Sequence, residues 1–533
     1  MKFLFTTILF IFLTGYLFSQ SDDDIASSTG PEVSDSPGLQ GAFGAVTIDG
    51  QIYNQFAFRP TLPLGKFRIA LDMVLYLDEN GKLRTDDWDF SSLEAIKNTV
   101  IDKIYYFQYG KYWDNNYFKV GALDKTTIGY GILMENYSNT ILYPEVRKVG
   151  MEFRSKVLGL DVFGFTNNLK ENFGLNALRV SAPAPVLDFL EIGFSWVGDR
   201  NQYLGLVDRD DDGRPDLVDD FPDDEQWWLD TDGDGLADGD TINEFDVDGD
   251  GWTDSSFTFP TWGIVIDPDG VSTKPEPINI KEESKSFNAV SLDLGLPLVR
   301  TGALNVAIYS GAAALIGKTF DPVDSVEVDA GYGIIPLAFS AKFGKLRFNA
   351  EYRMIPDGNF EFGYFNKTYM TERATFQSIS GNQGTIITKS EKLGTYGKQS
   401  GYYSSLDIDL GKLFDAGVVY QNLNGDQYDS TSNSFQSAAN QSFSVFFELK
   451  KGKSIGKLVE YKMFYEQRNV PNPFDFEYSE STIMGYQTSL ELDNGITLRY
   501  SFIRTFQDAN GDGDVMDKED MNNMINLETS FRF

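Results

Sequence analysis

The stretch INLETSFRF, residues 525–533, places Ile525, Leu527, Thr529, Phe531 and Phe533 at alternate positions, with Asn526, Glu528, Ser530 and Arg532 between them. Successive side chains of a strand point to opposite faces, so the segment has one apolar face and one polar face. The same period of two recurs upstream. Phe67, Ile69, Leu71, Met73, Leu75 and Leu77 interleave with Arg68, Ala70, Asp72, Val74 and Tyr76, and Leu346, Phe348, Ala350, Tyr352 and Met354 interleave with Arg347, Asn349, Glu351 and Arg353. Val290–Leu296, Leu190–Trp196, Phe443–Leu449, Met484–Leu492 and Ile496–Phe502 follow suit.

Soluble sandwiches and membrane barrels both contain such strands. Here the segments often run to about 9–12 residues, near what a tilted strand needs to cross a bilayer. Aromatics cluster near their ends, as interfacial girdles require. Short turns alternate with long polar stretches. Lipid leaves no backbone group unpaired, so the sheet must close. The expected fold is all-β: a large antiparallel transmembrane β-barrel of about 20 strands, within about four, the number being even. Long connections belong on the extracellular side, and the candidates are Leu77–Asp102, Gly198–Phe257, Pro268–Lys285, Pro356–Ser400 and Gly425–Gln441. In the first, Ser91 and Glu94 form a capping-box pattern opening a short amphipathic helix, which either packs on the barrel or folds inward to narrow it.

Composition agrees. The 533 residues include no Cys and no His, and the mean hydropathy is −0.28. Residues 1–20, MKFLFTTILFIFLTGYLFSQ, have Lys2 before an apolar run and read as a signal peptide. No Cys lies near the cleavage point for a lipid anchor, and none exists to form a disulfide. Residues 21–40 are polar, acidic and rich in Ser, Pro and Gly, a flexible lead-in to a barrel over 41–533. Without His, the usual base of Ser and Cys hydrolases and the commonest zinc ligand are missing, so no enzyme is expected. A formal charge of −34 disfavours nucleic acid as a partner.

Much of that charge sits in residues 208–254, with 20 acids against Arg209 and Arg214. The acids are periodic. Asp208, Asp210 and Asp212 precede Gly213, with Asp216 and Asp219 after it; Asp230, Asp232 and Asp234 precede Gly235, with Asp238 after it; Asp246, Asp248 and Asp250 precede Gly251, with Asp254 after it. A fourth copy at 508–520 has Asp508, Asn510, Asp512, Asp514 and Glu519. Calcium takes about 6–8 oxygen ligands, and carboxylates at alternate positions before a turning Gly wrap one ion. Thr241 and Phe257 stand where the second and third copies would need a last ligand, so those sites need one from elsewhere. Trp227 and Trp228, between copies, either pack the repeats together or offer an aromatic surface to sugars or partners.

The repeats resemble thrombospondin type 3 calcium repeats and, more loosely, the EF-hand loop. That resemblance implies calcium as the bound ion. Similar repeats link barrels to peptidoglycan-binding domains, but here strand-like sequence resumes afterwards, marking an insertion. The alternating strand ending on Phe533 resembles the sorting signal of bacterial outer-membrane barrels, which implies the barrel-assembly machinery as a partner, together with outer-membrane lipid, in a Gram-negative-type (diderm) bacterium. KVGALDKTTIGYGILMENYSNT (119–140) and KVGMEFRSKVLGLDVFGFTNNL (148–169) look like segments of large bacterial outer-membrane proteins, which supports the fold alone. Two functions remain: a porin-like channel for small solutes with calcium-stabilised loops, or a surface adhesin or receptor whose calcium-ordered loop binds an extracellular ligand.

Overall fold

The computed structural model describes residues 38–532 except 49, 113, 185, 186, 188, 231–234, 239–256, 259–264, 267–275, 302, 381, 382, 509–513 and 519. The expected signal peptide, most of the lead-in and Phe533 lie outside the described residues. The first strand starts at Gly38, three residues inside the expected lead-in.

Twenty antiparallel strands form one closed barrel. Each pairs with its neighbours in sequence, and the first, Gly38–Ile48, closes on the last, Met521–Arg532, in a register running from Gln40 opposite Arg532 to Val46 opposite Asn526. One strand is broken in two, Phe67–Leu71 and Met73–Leu77, at Asp72.

The period-two pattern sorts side chains by face. Outward stand exposed apolar residues such as Phe43, Phe56, Leu75, Leu337, Phe339 and Leu527. Inward stand buried polar ones such as Gln55, Arg59, Glu351, Arg353, Gln487 and Glu528. In water each outward side chain would forfeit roughly 1.5–3 kcal/mol of burial; against acyl chains it loses nothing. This arrangement is that of a transmembrane β-barrel of the outer-membrane type.

Connections segregate by length. One rim carries 65–66, 110–115, 158–159, 344–345, 411–413 and 494–495. The opposite, extracellular rim carries 78–103, 122–149, 200–286, 317–331, 356–395 and 507–520.

Several expected boundaries shift. Gly198–Phe257 and Pro268–Lys285 are parts of one connection, 200–286. Between them, among the described residues, Phe257–Thr258 pairs with Val265–Ile266. Gly425–Gln441 is not a loop. Strands Phe414–Asp429 and Ser434–Leu449 run through it and meet at a tight turn, 430–433. Above the bilayer neither face needs to be apolar, so alternation fades while the ladder continues.

Candidate functional site

Two connections fold inward and pack against the inner wall of the barrel. Residues 122–149 leave the wall as an irregular hairpin in which the N–H groups of Thr126 and Tyr137 donate to each other's carbonyl at 2.9 and 3.0 Å. Gly129 (φ +60°) and Gly131 (φ +80°) turn its tip, and Tyr130 between them stacks on wall residue Tyr309 with ring centroids 3.8 Å apart. Further along, Ile141 packs with Phe464, Ile483, Ile503 and Met524 on the opposite wall. Tyr143 and Arg147 then both bind Asp72, at 2.6 Å each. The break in the strand at Asp72 is where the inward fold is tied down. Asp72 also accepts from Arg59 at 2.8 Å, and Arg59 reaches Glu528 on the last strand at 2.8 Å.

The second inward fold begins after Ile355. Its Gly363 and Phe365 N–H groups donate to Ile132 and Leu133, and Glu135 N–H donates to Phe365, at 2.9–3.1 Å. Arg468 on the wall holds both folds: it donates to the Phe362 carbonyl at 3.1 Å and pairs with Glu135 at 3.6 Å. Tyr403 also donates to Glu135. Where the second fold climbs out again, Arg373 is fully buried and bound to Asp199 at 2.7 Å and to Glu171 at 3.2 Å. Tyr369 donates to the same Asp199 at 2.6 Å. The narrowing is therefore built by 122–149 and 356–373.

The helix at Leu93–Asp102 does not fold inward. Its cap is Ser92, whose hydroxyl accepts from Ala95 N–H at 3.0 Å, one residue beyond the expected Ser91. The first inward fold escaped the sequence reading. Its signal was an apolar stretch, Ile132-Leu133-Met134, without alternation and beside two turn glycines.

The acidic repeat lies on the extracellular side of this assembly. Asp208, Asp210 and Asp212 bring one carboxylate oxygen each within 4.8 Å of one another. Gly213 turns the chain at φ +101° and its N–H donates to Asp208 at 3.0 Å. Asp208 Oδ1, Asp210 Oδ2, Asp212 Oδ2 and Asp219 Oδ2 are all buried, and none accepts a hydrogen bond. Burial pushes the Asp208 and Asp212 carboxyls up. Asp219, 7% exposed, is pushed up to about 6 by burial and then by repulsion from Asp212, Asp210 and Asp216. The Asp216 carboxylate is engaged by the backbone and guanidinium of Arg209, at 2.9 and 2.7 Å.

The second copy repeats this backbone. Gly235 (φ +90°) donates to Asp230 at 2.9 Å, as Gly213 does to Asp208. Asp238 N–H donates to Leu229 and Asp216 N–H to Val207, both at 2.9 Å. Asp232, Asp234, Asp246, Asp248, Asp250, Asp254, Asn510, Asp512 and Glu519 lie outside the described residues. Asp508 and Asp514 are described, but their companions are not. Trp228 packs between repeat and return segment: its indole donates to Glu276 at 2.8 Å and Arg214 lies over its ring at 5.0 Å.

Repeat and inward fold touch. Leu217, Val218, Ile278 and Ile280 pack on Tyr203, Ala374 and Ile386. Ala374 and Ile386 belong to the hairpin Ala374–Ser380 with Gln383–Thr388, which continues directly from the second inward fold.

No family model and no curated protein matches the chain. Among solved structures it is similar to the outer membrane protein OpdK from Pseudomonas aeruginosa, at 9% identity over 93% of this chain and 98% of that one, TM-score 0.32. It is similar to OccK5 (OpdH) of the same organism at 8% identity, covering 93% and 97%, TM-score 0.33. The ferric-catecholate import receptor Fiu from E. coli K12 is 9% identical, covering 94% and 82%, TM-score 0.33. At these values the likeness carries no argument, and the fold assignment stands on the closed sheet of the chain itself.

Proposed function

We propose that the protein is an outer-membrane channel for small solutes, narrowed by 122–149 and 356–373, with extracellular loops ordered by calcium. The observation that carries the channel reading is the charged and amide inner wall facing two inward folds. A barrel serving only as an anchor has no use for a polar inner wall facing a built constriction. Barrels of about 16–18 strands leave an aqueous channel and those of about 22 need a plug. Twenty strands with a partial constriction fall between.

The calcium reading rests on the orphaned oxygens. Four buried carboxylate oxygens that accept no hydrogen bond repel one another and are costly to hold. They are hard, anionic donors before a turning glycine, which fits calcium among biological cations. The residues that would hold the ion are Asp208, Asp210, Asp212 and Asp219. By analogy of backbone, Asp230 and Asp238 serve a second site with Asp232 and Asp234. Through Leu217 and Val218 an ordered repeat braces the hairpin that continues from the constriction, so ion binding and pore geometry are linked.

The test is single-channel conductance of refolded protein in a planar bilayer, in calcium and then in chelator. Stable steps in calcium that become noisier or larger in chelator support both parts. Silence in both, from protein shown to be inserted, overturns the channel in favour of a closed scaffold that binds an extracellular partner.

A further inference from the structure

The wall of the barrel is not uniformly tall. Strands Ile104–Tyr109 and Asn116–Gly121 have six residues each. At ~3.3 Å per residue and a tilt of ~40° they rise only about 15 Å, whereas the apolar band of such barrels is about 25 Å tall. Met73–Leu77 pairs with Gln51–Leu64 on one side. On its other side Ile104 opposes Leu71, so that strand pairing stops below Met73.

Residues 78–103 take over there. Arg84 N–H donates to the Tyr76 carbonyl at 2.9 Å, and the Trp88 indole donates to the Val74 carbonyl at 2.8 Å. Asp72 N–H donates to the Lys103 carbonyl at 2.9 Å. These bonds supply the unpaired edge with partners and set the segment at the height of the missing wall.

The helix Leu93–Asp102 is amphipathic in the reverse sense for a loop in water. Its covered face is polar or small: Ala95, Asn98, Thr99 and Asp102, with Thr99 donating to the Asp89 carbonyl at 2.8 Å and Asp102 paired to Lys170 at 2.7 Å. Its open face carries Leu93 (87% exposed), Val100 (58%) and Ile96 (38%), with Phe90 (59%) just before it. Glu94 and Lys97 are also exposed, and a long lysine stem reaches headgroups from such a position. Leu75, on the strand to which this segment is bonded, also faces outward, so strand and helix both present open apolar side chains.

We infer that this helix is a membrane-embedded part of the wall: it replaces the missing upper half of two short strands, and its open face lies in the acyl chains of the outer leaflet. A helix suits the position because its backbone is hydrogen-bonded internally and leaves no edge in lipid. The occupant is lipid, because Arg84 and Trp88 bond the segment to the backbone of Tyr76 and Val74, on the strand whose Leu75 faces outward, and the helix leaves its own apolar stripe open.

The chain has no Cys, so a single introduced one labels cleanly. Leu93→Cys, Ile96→Cys and Val100→Cys, each carrying a nitroxide, are reconstituted at low density in phosphatidylcholine bilayers. Ser432→Cys, in the exposed turn 430–433, is the aqueous reference. Collision with oxygen and with a water-soluble nickel chelate is read by power saturation. The expected result is high oxygen access and several-fold lower nickel access than Ser432→Cys at all three positions. Nickel access equal to the reference overturns the inference and makes the helix a water-exposed loop element. Low access to both relaxers with dipolar broadening also overturns it, assigning the face to a second copy of the chain.

Discussion

Two extracellular connections, 122–149 and the acidic repeat at 208–219, are both tightly folded, by opposite means. The first buries Leu123, Ile128, Ile132, Met134, Tyr137 and Ile141 almost completely. Each such side chain contributes roughly 1.5–3 kcal/mol, and Lys125, Glu135 and Arg147 find charged partners on the wall. The second turns three aspartates together and leaves their inner oxygens without a donor. Its backbone is shaped by Gly213 and by turns, and its apolar contact is confined to Leu217 and Val218 at the far end from the aspartates. One connection carries its own cohesion; on the proposed reading, the order of the other is conditional on a cation.

The sharpest test of that contrast is the triple substitution Asp208→Asn, Asp210→Asn, Asp212→Asn. Calorimetry should show one calcium fewer per chain. In chelator the variant should resist proteolysis at 208–219 better than the parent, since the mutual repulsion is gone. Unchanged stoichiometry would remove the assignment.

Arg373→Ala attacks the second inward fold, which hydrogen-bonds to the self-sufficient 122–149. It leaves Asp199 buried with Tyr369 as partner but without its cation, a loss of about 3–5 kcal/mol. The denaturation midpoint should fall and single-channel noise should rise, with calcium stoichiometry unchanged. A stable, quiet variant would mean that the outer end of the constriction is held by something else.

Proton linkage separates the two regions more finely. Metal-free, Asp219 holds its proton up to about 6, above the usual value of 3.8. Between those values the folded repeat binds more protons than the unfolded one, so its stability rises as pH falls through about 6. With calcium the sign reverses, because the ion requires ionised carboxylates and its affinity falls over the same window. Limited proteolysis at pH 7 and pH 5, with calcium and with chelator, reads both. The same sign in both conditions would break the linkage.

Tyr130→Ala is the mildest change. It removes the stack on Tyr309, worth roughly 0.5–1.5 kcal/mol beyond area. A small rise in conductance is expected, with thermal stability nearly unchanged. A collapse of the channel would show that the hairpin tip anchors far more than its ring contact.

Much of this protein was legible in the amino-acid order. Strands bathed in lipid outside and polar groups inside are forced into a period of two, so Phe67–Leu77, Leu346–Met354 and Ile525–Phe531 declared their faces. The spacing of the acidic copies has a counterpart in the backbone, whose hydrogen bonds around Asp230 repeat those around Asp208. What tertiary structure alone decided is where chains of no fixed period go. Ile132-Leu133-Met134 reads as any apolar run until the lumen supplies Gly363 and Phe365 to its backbone and Arg468 and Tyr403 to the adjoining Glu135. The helix at Leu93–Asp102 has an ordinary amphipathic pattern, and only the short strands beside it turn its apolar face outward. Periodicity records which face a residue occupies; what lies against that face is set by residues hundreds of positions away, which local sequence does not encode.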